Sequence, residues 1–155
     1  MPNDAAANLQ KLLQPAVSIP PMAGIEAPLA PRVGGLPPHK LNKVLDYIDS
    51  SLSRSIGVRD LAATVHMSPF HFARMFRQTT GRPPHAYITA KRIEQAKELL
   101  ANSNLRIVEV AVSVGYQTQA HFTGVFHKFV GVTPRVYRLN AQAARNKEEE
   151  GQSRS

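Results

Sequence analysis

Cysteine is absent from the 155 residues. Disulfides, thiolate metal sites, cysteine nucleophiles and thiol redox sensing are therefore excluded at once. Nor is there any apolar run near the roughly 20 residues that span a bilayer, and the opening Met1-Pro2-Asn3-Asp4 lacks both the basic and the apolar stretch of a secretory signal. A cytoplasmic protein is the expectation. Strand-like alternation of useful length is missing as well, which leaves the helical period to be read.

Acidic residues are the fourth scarcity, with 11 Asp and Glu against 19 Lys and Arg, a net charge of +8. An excess this large on so short a chain points to a polyanion or a membrane surface as partner. Its distribution narrows the choice. Residues 1–39 and 139–155 each cancel to zero, so the whole excess lies in residues 40–138, where 14 basic side chains face six acidic ones. That is a folded basic domain, as opposed to a basic tail.

Eight of the 12 prolines fall within residues 1–38, a composition that removes backbone donors and offers little to bury, so the segment reads as an extended leader. Only Ala5 to Leu13 has the makings of a short helix there. From 141 to 155 the chain is polar and carries Glu148, Glu149 and Glu150, which reads as a solvated, disordered tail. Between these flanks the apolar residues recur at helical spacing: Leu41, Val44, Leu45, Ile48 and Leu52; then Val58, Leu61, Ala62 and Val65; then Phe72, Met75, Phe76 and Thr79. A longer helix is expected over about Pro84–Leu100, entered through Pro83-Pro84 and burying Ile93, Ala96, Leu99 and Leu100.

The pattern then repeats. Ile107, Val110, Ala111 and Val114 mirror the second helix, and Phe122, Val125, Phe126 and Phe129 the third. At an offset of 50, Val58/Val108, His71/His121, Phe72/Phe122, Phe76/Phe126, Gly81/Gly131, Pro84/Pro134 and Tyr87/Tyr137 are identical. Each copy has a short helix, a tight turn and a second helix that opens on a good cap. Ser68 caps with Pro69 at the first helical position in one; Gly115 supplies the turn and Thr118 the cap in the other. Helix, turn, helix is the unit that lays its second helix in the major groove of DNA. The two units run over about 58–79 and 106–129.

The runs Met67–Arg77, Gly81, Arg92–Leu100, Val110–Tyr116 and His121–Arg138 resemble the AraC/XylS-type transcription regulators across about residues 40–139. That resemblance implies an all-α domain of seven helices, with two helix-turn-helix units joined by one linking helix. Its implied function is sequence-specific binding of double-stranded DNA to regulate transcription, as an activator in the first instance. RNA polymerase is a further candidate partner. The family's usual effector domain has no counterpart in the 38-residue leader, so the short stand-alone members are the nearer likeness. A linking helix of about 16 residues spans roughly 24 Å, which with the flanking units gives a reading distance near one DNA turn, about 34 Å. One monomer is expected to fill two successive major grooves.

On the first recognition helix the face opposite the core stripe carries Phe70, Ala73, Arg74 and Arg77. Arg74 suits a bidentate contact to guanine and falls where the family pattern has a base-reading arginine. Phe70 suits a thymine methyl, or else staples the helix start to the core. Ala73 and His71 complete the base-facing set, while Arg77 and the capping Ser68 are assigned to phosphate. In the second unit the offset puts Ala120, Thr123, Gly124 and His127 at the places of Phe70, Ala73, Arg74 and Arg77. Gln119, Ala120, His121, Thr123 and Gly124 are the base-facing candidates there, and Thr118, His127 and Lys128 the phosphate-facing ones. No arginine appears on this face, a departure from the family pattern. His66, His71, His121 and His127 lack the convergent spacing of metal ligands, and no cofactor is expected. Without a cysteine, or a cluster of acid, base and nucleophile, an enzyme such as a DNA-repair methyl acceptor is set aside. The alternative kept open is a nonspecific architectural DNA binder.

Overall fold

The computed structural model describes residues 34–154. Among them are seven α-helices and no strand: α1 (Pro38–Ser51), α2 (Val58–Thr64), α3 (Pro69–Thr80), α4 (Pro84–Asn102), α5 (Ile107–Ser113), α6 (Gln119–Val130) and α7 (Pro134–Gln152). None of these helices is long and apolar enough to cross a membrane. The chain divides into two units, and the division falls between Arg92 and Ile93, inside α4.

Each unit has its own core, built from the stripes that the periodicity marks. In the first, Leu41, Val44, Ile48, Leu61, Ala62, Val65, Phe72, Phe76, Tyr87 and Ile88 are buried together. In the second the buried set is Ile93, Ala96, Leu100, Val110, Ala111, Val114, Tyr116, Phe122 and Phe126. An aromatic ladder recurs in both. Phe72 lies 5.5 Å from Phe76, which meets Tyr87 edge-on at 5.4 Å; Phe122 lies 5.6 Å from Phe126, which meets Tyr137 at 5.6 Å. Edge-to-face pairs at this spacing add to what area burial alone supplies, so the repeated aromatics are repeated core.

The register of the duplication shifts at the turn. Residues 65–68 join α2 to α3, whereas 114–118 join α5 to α6. The second turn is thus one residue longer, and α2 matches α5 at an offset of 49 while α3 matches α6 at 50. Val58, which opens α2, therefore corresponds to Ile107, which opens α5, and its identity with Val108 is fortuitous. Both first helices stop in the same way. Met67 N–H donates to the Ala62 carbonyl at 3.0 Å and Tyr116 N–H to the Ala111 carbonyl at 2.9 Å, and each closure needs a left-handed residue just before the donor. Gly115 supplies it in the second unit with φ 91°, but in the first it is His66, with φ 57°. The starts agree as well: Asp60 accepts from Gly57 N–H at 2.8 Å and Glu109 from Arg106 N–H at 2.7 Å.

Two domain boundaries differ from the sequence reading. Leu36, assigned to the leader, is only 4% exposed, and its N–H donates to Thr79 Oγ1 at 2.8 Å, so the folded unit starts before α1. The polar stretch after 141, expected as a disordered tail, continues α7 to Gln152. It is solvated, as its charges require, but Ala, Gln, Arg, Lys and Glu are good helix formers, and Arg145 Nη1 holds the helix to the Ala101 carbonyl at 3.1 Å. The possible helix over Ala5–Leu13 lies outside the described residues.

Candidate nucleic-acid interface

Local chemistry fixes where both second helices begin. Ser68 Oγ accepts the His71 N–H at 3.3 Å and Thr118 Oγ1 accepts the His121 N–H at 3.2 Å. The caps named from sequence are therefore the caps observed. Neither helix has an acidic residue in its first turn, so the positive end of each helix dipole is not offset there. Both helices end on a left-handed glycine, Gly81 and Gly131, whose N–H donates to Arg77 and His127 carbonyls at 2.8 Å.

With Phe72 and Phe76 turned into the core, α3 presents Phe70, Arg74, Arg77 and Gln78 to solvent, with Ala73 half-buried. Phe70 is 83% exposed, which removes the reading of it as a staple between helix start and core. An open cleft of about 760 Å³ is lined by Phe70, Ala73, Arg74, Arg77, Gln78, Pro83 and Pro84. Of these, Gln78 and the two prolines were not among the sequence candidates. Gln78 was legible, standing one turn beyond Arg74 on the same face, whereas the flank formed by the Pro83-Pro84 entry to α4 depends on how the chain turns after Gly81. His71 and Ser68 are exposed at the start of the helix, outside the cleft lining.

On α6 the corresponding face consists of Gln119, Ala120, Gly124, His127 and Lys128, all exposed, with Thr123 half-buried and Thr118 exposed at the cap. The His121 ring is exposed but packs edge-on against Tyr116 at 5.3 Å. The sequence reading placed it among the base-facing candidates, with helix packing or phosphate contact as its other roles.

Several of the basic side chains are engaged within the fold. Arg92 binds the Leu52 and Arg54 carbonyls at 3.1 and 2.6 Å, and Arg138 binds those of Leu100 and Leu105 at 3.3 and 2.6 Å. Lys91 pairs with Asp49, Lys97 with Glu94 and Arg106 with Glu109. The Arg106 amide and guanidinium, in that order, hold the Glu109 carboxyl below the ordinary glutamate range. Arg74 and Arg77 by contrast make no hydrogen bond or ion pair with the described residues. Two guanidinium groups one helical turn apart, without an acceptor among the described residues and beside an exposed aromatic ring, form a surface suited to phosphates and base edges.

A duplicated helix-turn-helix fold with a basic, unpartnered recognition face is the architecture of a DNA-binding domain. Comparison with known proteins supplies the family: residues 61–140 match the helix-turn-helix domain model of the AraC type, and the chain belongs to that family. It is 35% identical over 106 residues to the regulatory protein PocR of Salmonella typhimurium, a match covering 67% of this chain and 35% of PocR. To the transcriptional activator AarP of Providencia stuartii it is 28% identical over 100 residues, 64% of this chain and 74% of AarP. The chain thus spans about a third of PocR's length. Among solved structures, the DNA-binding domain of AdpA in complex with a target DNA superposes with a TM-score of 0.65 at 31% identity, covering 69% of this chain and 96% of that one. The C-terminal domain of the response regulator yesN from Fusobacterium nucleatum gives 0.63 at 28%, covering 64% and 98%.

Proposed function

We propose that this chain is a sequence-specific double-stranded DNA-binding transcription regulator, with α3 and α6 as its two major-groove readers. One observation carries it: Arg74 and Arg77 stand exposed on the capped α3, engaged by none of the described residues, beside the 83%-exposed Phe70. Leaving most of that phenylalanine in water is unfavourable for the isolated chain by about 1.5–3 kcal/mol relative to a core position. Contact with a thymine methyl or a sugar recovers part of it. In this reading Arg74 binds a guanine edge, Arg77 and Ser68 hold phosphate, and Gln78 reaches the same strand across the cleft. On α6, Gln119, Ala120, His121, Thr123 and Gly124 face bases, with Thr118, His127 and Lys128 toward the backbone. One chain occupies one asymmetric site, because both readers are on it. RNA polymerase is the second partner in this proposal, supported by AarP's description as an activator, and the chain acts in the cytoplasm on the nucleoid.

The test begins with a duplex selected from a random pool and titrated with the full chain at fixed salt. Arg74→Ala is expected to cost about 1–3 kcal/mol on that duplex and to relax discrimination at one base pair, with nonspecific affinity nearly unchanged. Equal weakening on all sequences would make Arg74 a phosphate contact, and the salt slope would then fall by about one. A specific-to-nonspecific ratio near unity would favour the architectural alternative, since regulators typically reach about 10³–10⁷. Absence of binding at low salt would refute the reading altogether.

A further inference from the structure

We propose that the two units divide the work: α3 discriminates sequence, while α6 anchors the chain to its second half-site with little base discrimination. This deepens the DNA-binding reading and rests on it. The duplication supplies an internal comparison, because α3 and α6 share length, cap, core aromatics and terminal glycine. At the offset of 50, Phe70 is replaced by Ala120, Arg74 by Gly124 and Arg77 by His127. All three exchanges are on the outward face, and all three remove reach, charge or apolar bulk.

Gly124 is the informative position. Within a helix, glycine is unfavourable by about 1 kcal/mol relative to alanine, a cost that packing sometimes offsets. Here it does not: a Cβ at Gly124 would meet nothing within 4 Å and the backbone is not left-handed. The fold has no use for the missing side chain, so the position is either free of selection for a reader or occupied closely by something outside the chain. Either way no guanidinium stands there. Nor do the other arginines of that unit supply one from α6, since Arg106 pairs with Glu109 and Arg138 and Arg145 are tied to main-chain carbonyls; Arg135 and Arg154 are exposed, but on the first turn of α7 and beyond its end. What α6 retains is anchoring chemistry: Lys128, His127 and the amides behind the Thr118 cap.

The experiment uses the full chain and a selected duplex in which every base pair is substituted in turn, with affinities read for wild type, Arg74→Ala, Gly124→Ala and Gly124→Arg, each checked for native helix content by circular dichroism. For wild type, substitutions in one half-site are expected to weaken binding about 5- to 150-fold at their most sensitive position, and substitutions in the other less than about 3-fold. Arg74→Ala should flatten the sensitive half. Gly124→Ala should add no discrimination in the insensitive half, because a methyl group carries no hydrogen-bonding atom, and Gly124→Arg should create a guanine preference there. Equal sensitivity of both halves in wild type, or a sensitive half that survives Arg74→Ala and is flattened only by changes on α6, would overturn the division of labour while leaving DNA binding intact. Failure of wild type to bind any duplex would overturn both.

Discussion

His66 holds a conformation that its counterpart Gly115 adopts freely, because the turn after α2 closes by the same Met67-to-Ala62 hydrogen bond that Tyr116 makes to Ala111. A left-handed residue with a Cβ is unfavourable by roughly 1–2 kcal/mol, and histidine is among the residues that tolerate it best. His66→Gly relieves that strain but adds freedom to the unfolded chain, so a net stabilisation of about 0.5–1 kcal/mol is expected. A higher urea midpoint at unchanged slope would establish it. Tyr87 makes the opposite kind of statement. Burial, and secondarily the Asp49 carboxylate, pushes its phenol up to about 12 from an ordinary 10. A raised acid pKa means the folded state prefers the neutral phenol. That contribution is therefore complete below about pH 10 and is lost as pH climbs through about 12, on the order of 2 kcal/mol in all. Tyr87→Phe should remove this alkaline step from a pH series of unfolding midpoints.

At the scale of elements, each unit spends an arginine on a helix end. Helix termini and the loops after them leave carbonyls without intrahelical donors; Arg92 reaches back to Leu52 and Arg54, just beyond α1, and Arg138 to Leu100 in the last turn of α4 and Leu105 in the loop that follows. The two arginines are not equivalent at either offset, since Arg92 is the ninth residue of α4 and Arg138 the fifth of α7. The device recurs without the register. Arg138→Met keeps the stem and removes both donors, which should destabilise by about 2–3 kcal/mol, as charged hydrogen bonds to half-buried carbonyls imply. Arg138→Lys should recover less than half, because an ammonium cannot fork to two acceptors in fixed geometry. Thermal unfolding of the three proteins decides.

At the scale of the whole molecule, the limits of the folded domain bear on any attempt to study it alone. Leu36 belongs to the first core and Thr79 receives its N–H at 2.8 Å, so a fragment starting at residue 40 lacks a buried side chain and leaves a buried hydroxyl with one partner fewer. Compared with a fragment starting at residue 34, it should be less stable by about 2–4 kcal/mol, read as a drop in urea midpoint. Comparable midpoints would show that Leu36 contributes nothing beyond its contacts.

What the sequence determined by itself was whatever depends on short-range chemistry. Helical period, the Ser68 and Thr118 caps, the duplicated aromatics and the exposed face of α3 all follow from residues a few positions apart, and the structure keeps each of them. Family likeness rested on those same runs. The tertiary structure decided what depends on distant partners. Leu36 looked like leader because its partner Thr79 is 43 residues away. Which basic residues the fold itself engages was equally hidden, since their acceptors are distant, Arg92 bonding across 40 residues and Arg145 across 44. The one-residue difference between the two turns is masked at a single fixed offset, although the apolar stripes match at 49 and the aromatics at 50; the backbone closing on Ala62 and Ala111 shows where the extra residue sits. Local signals propagate through hydrogen-bonded turns and survive in the sequence; which cation is left to meet DNA is settled only when the chain has folded back on itself.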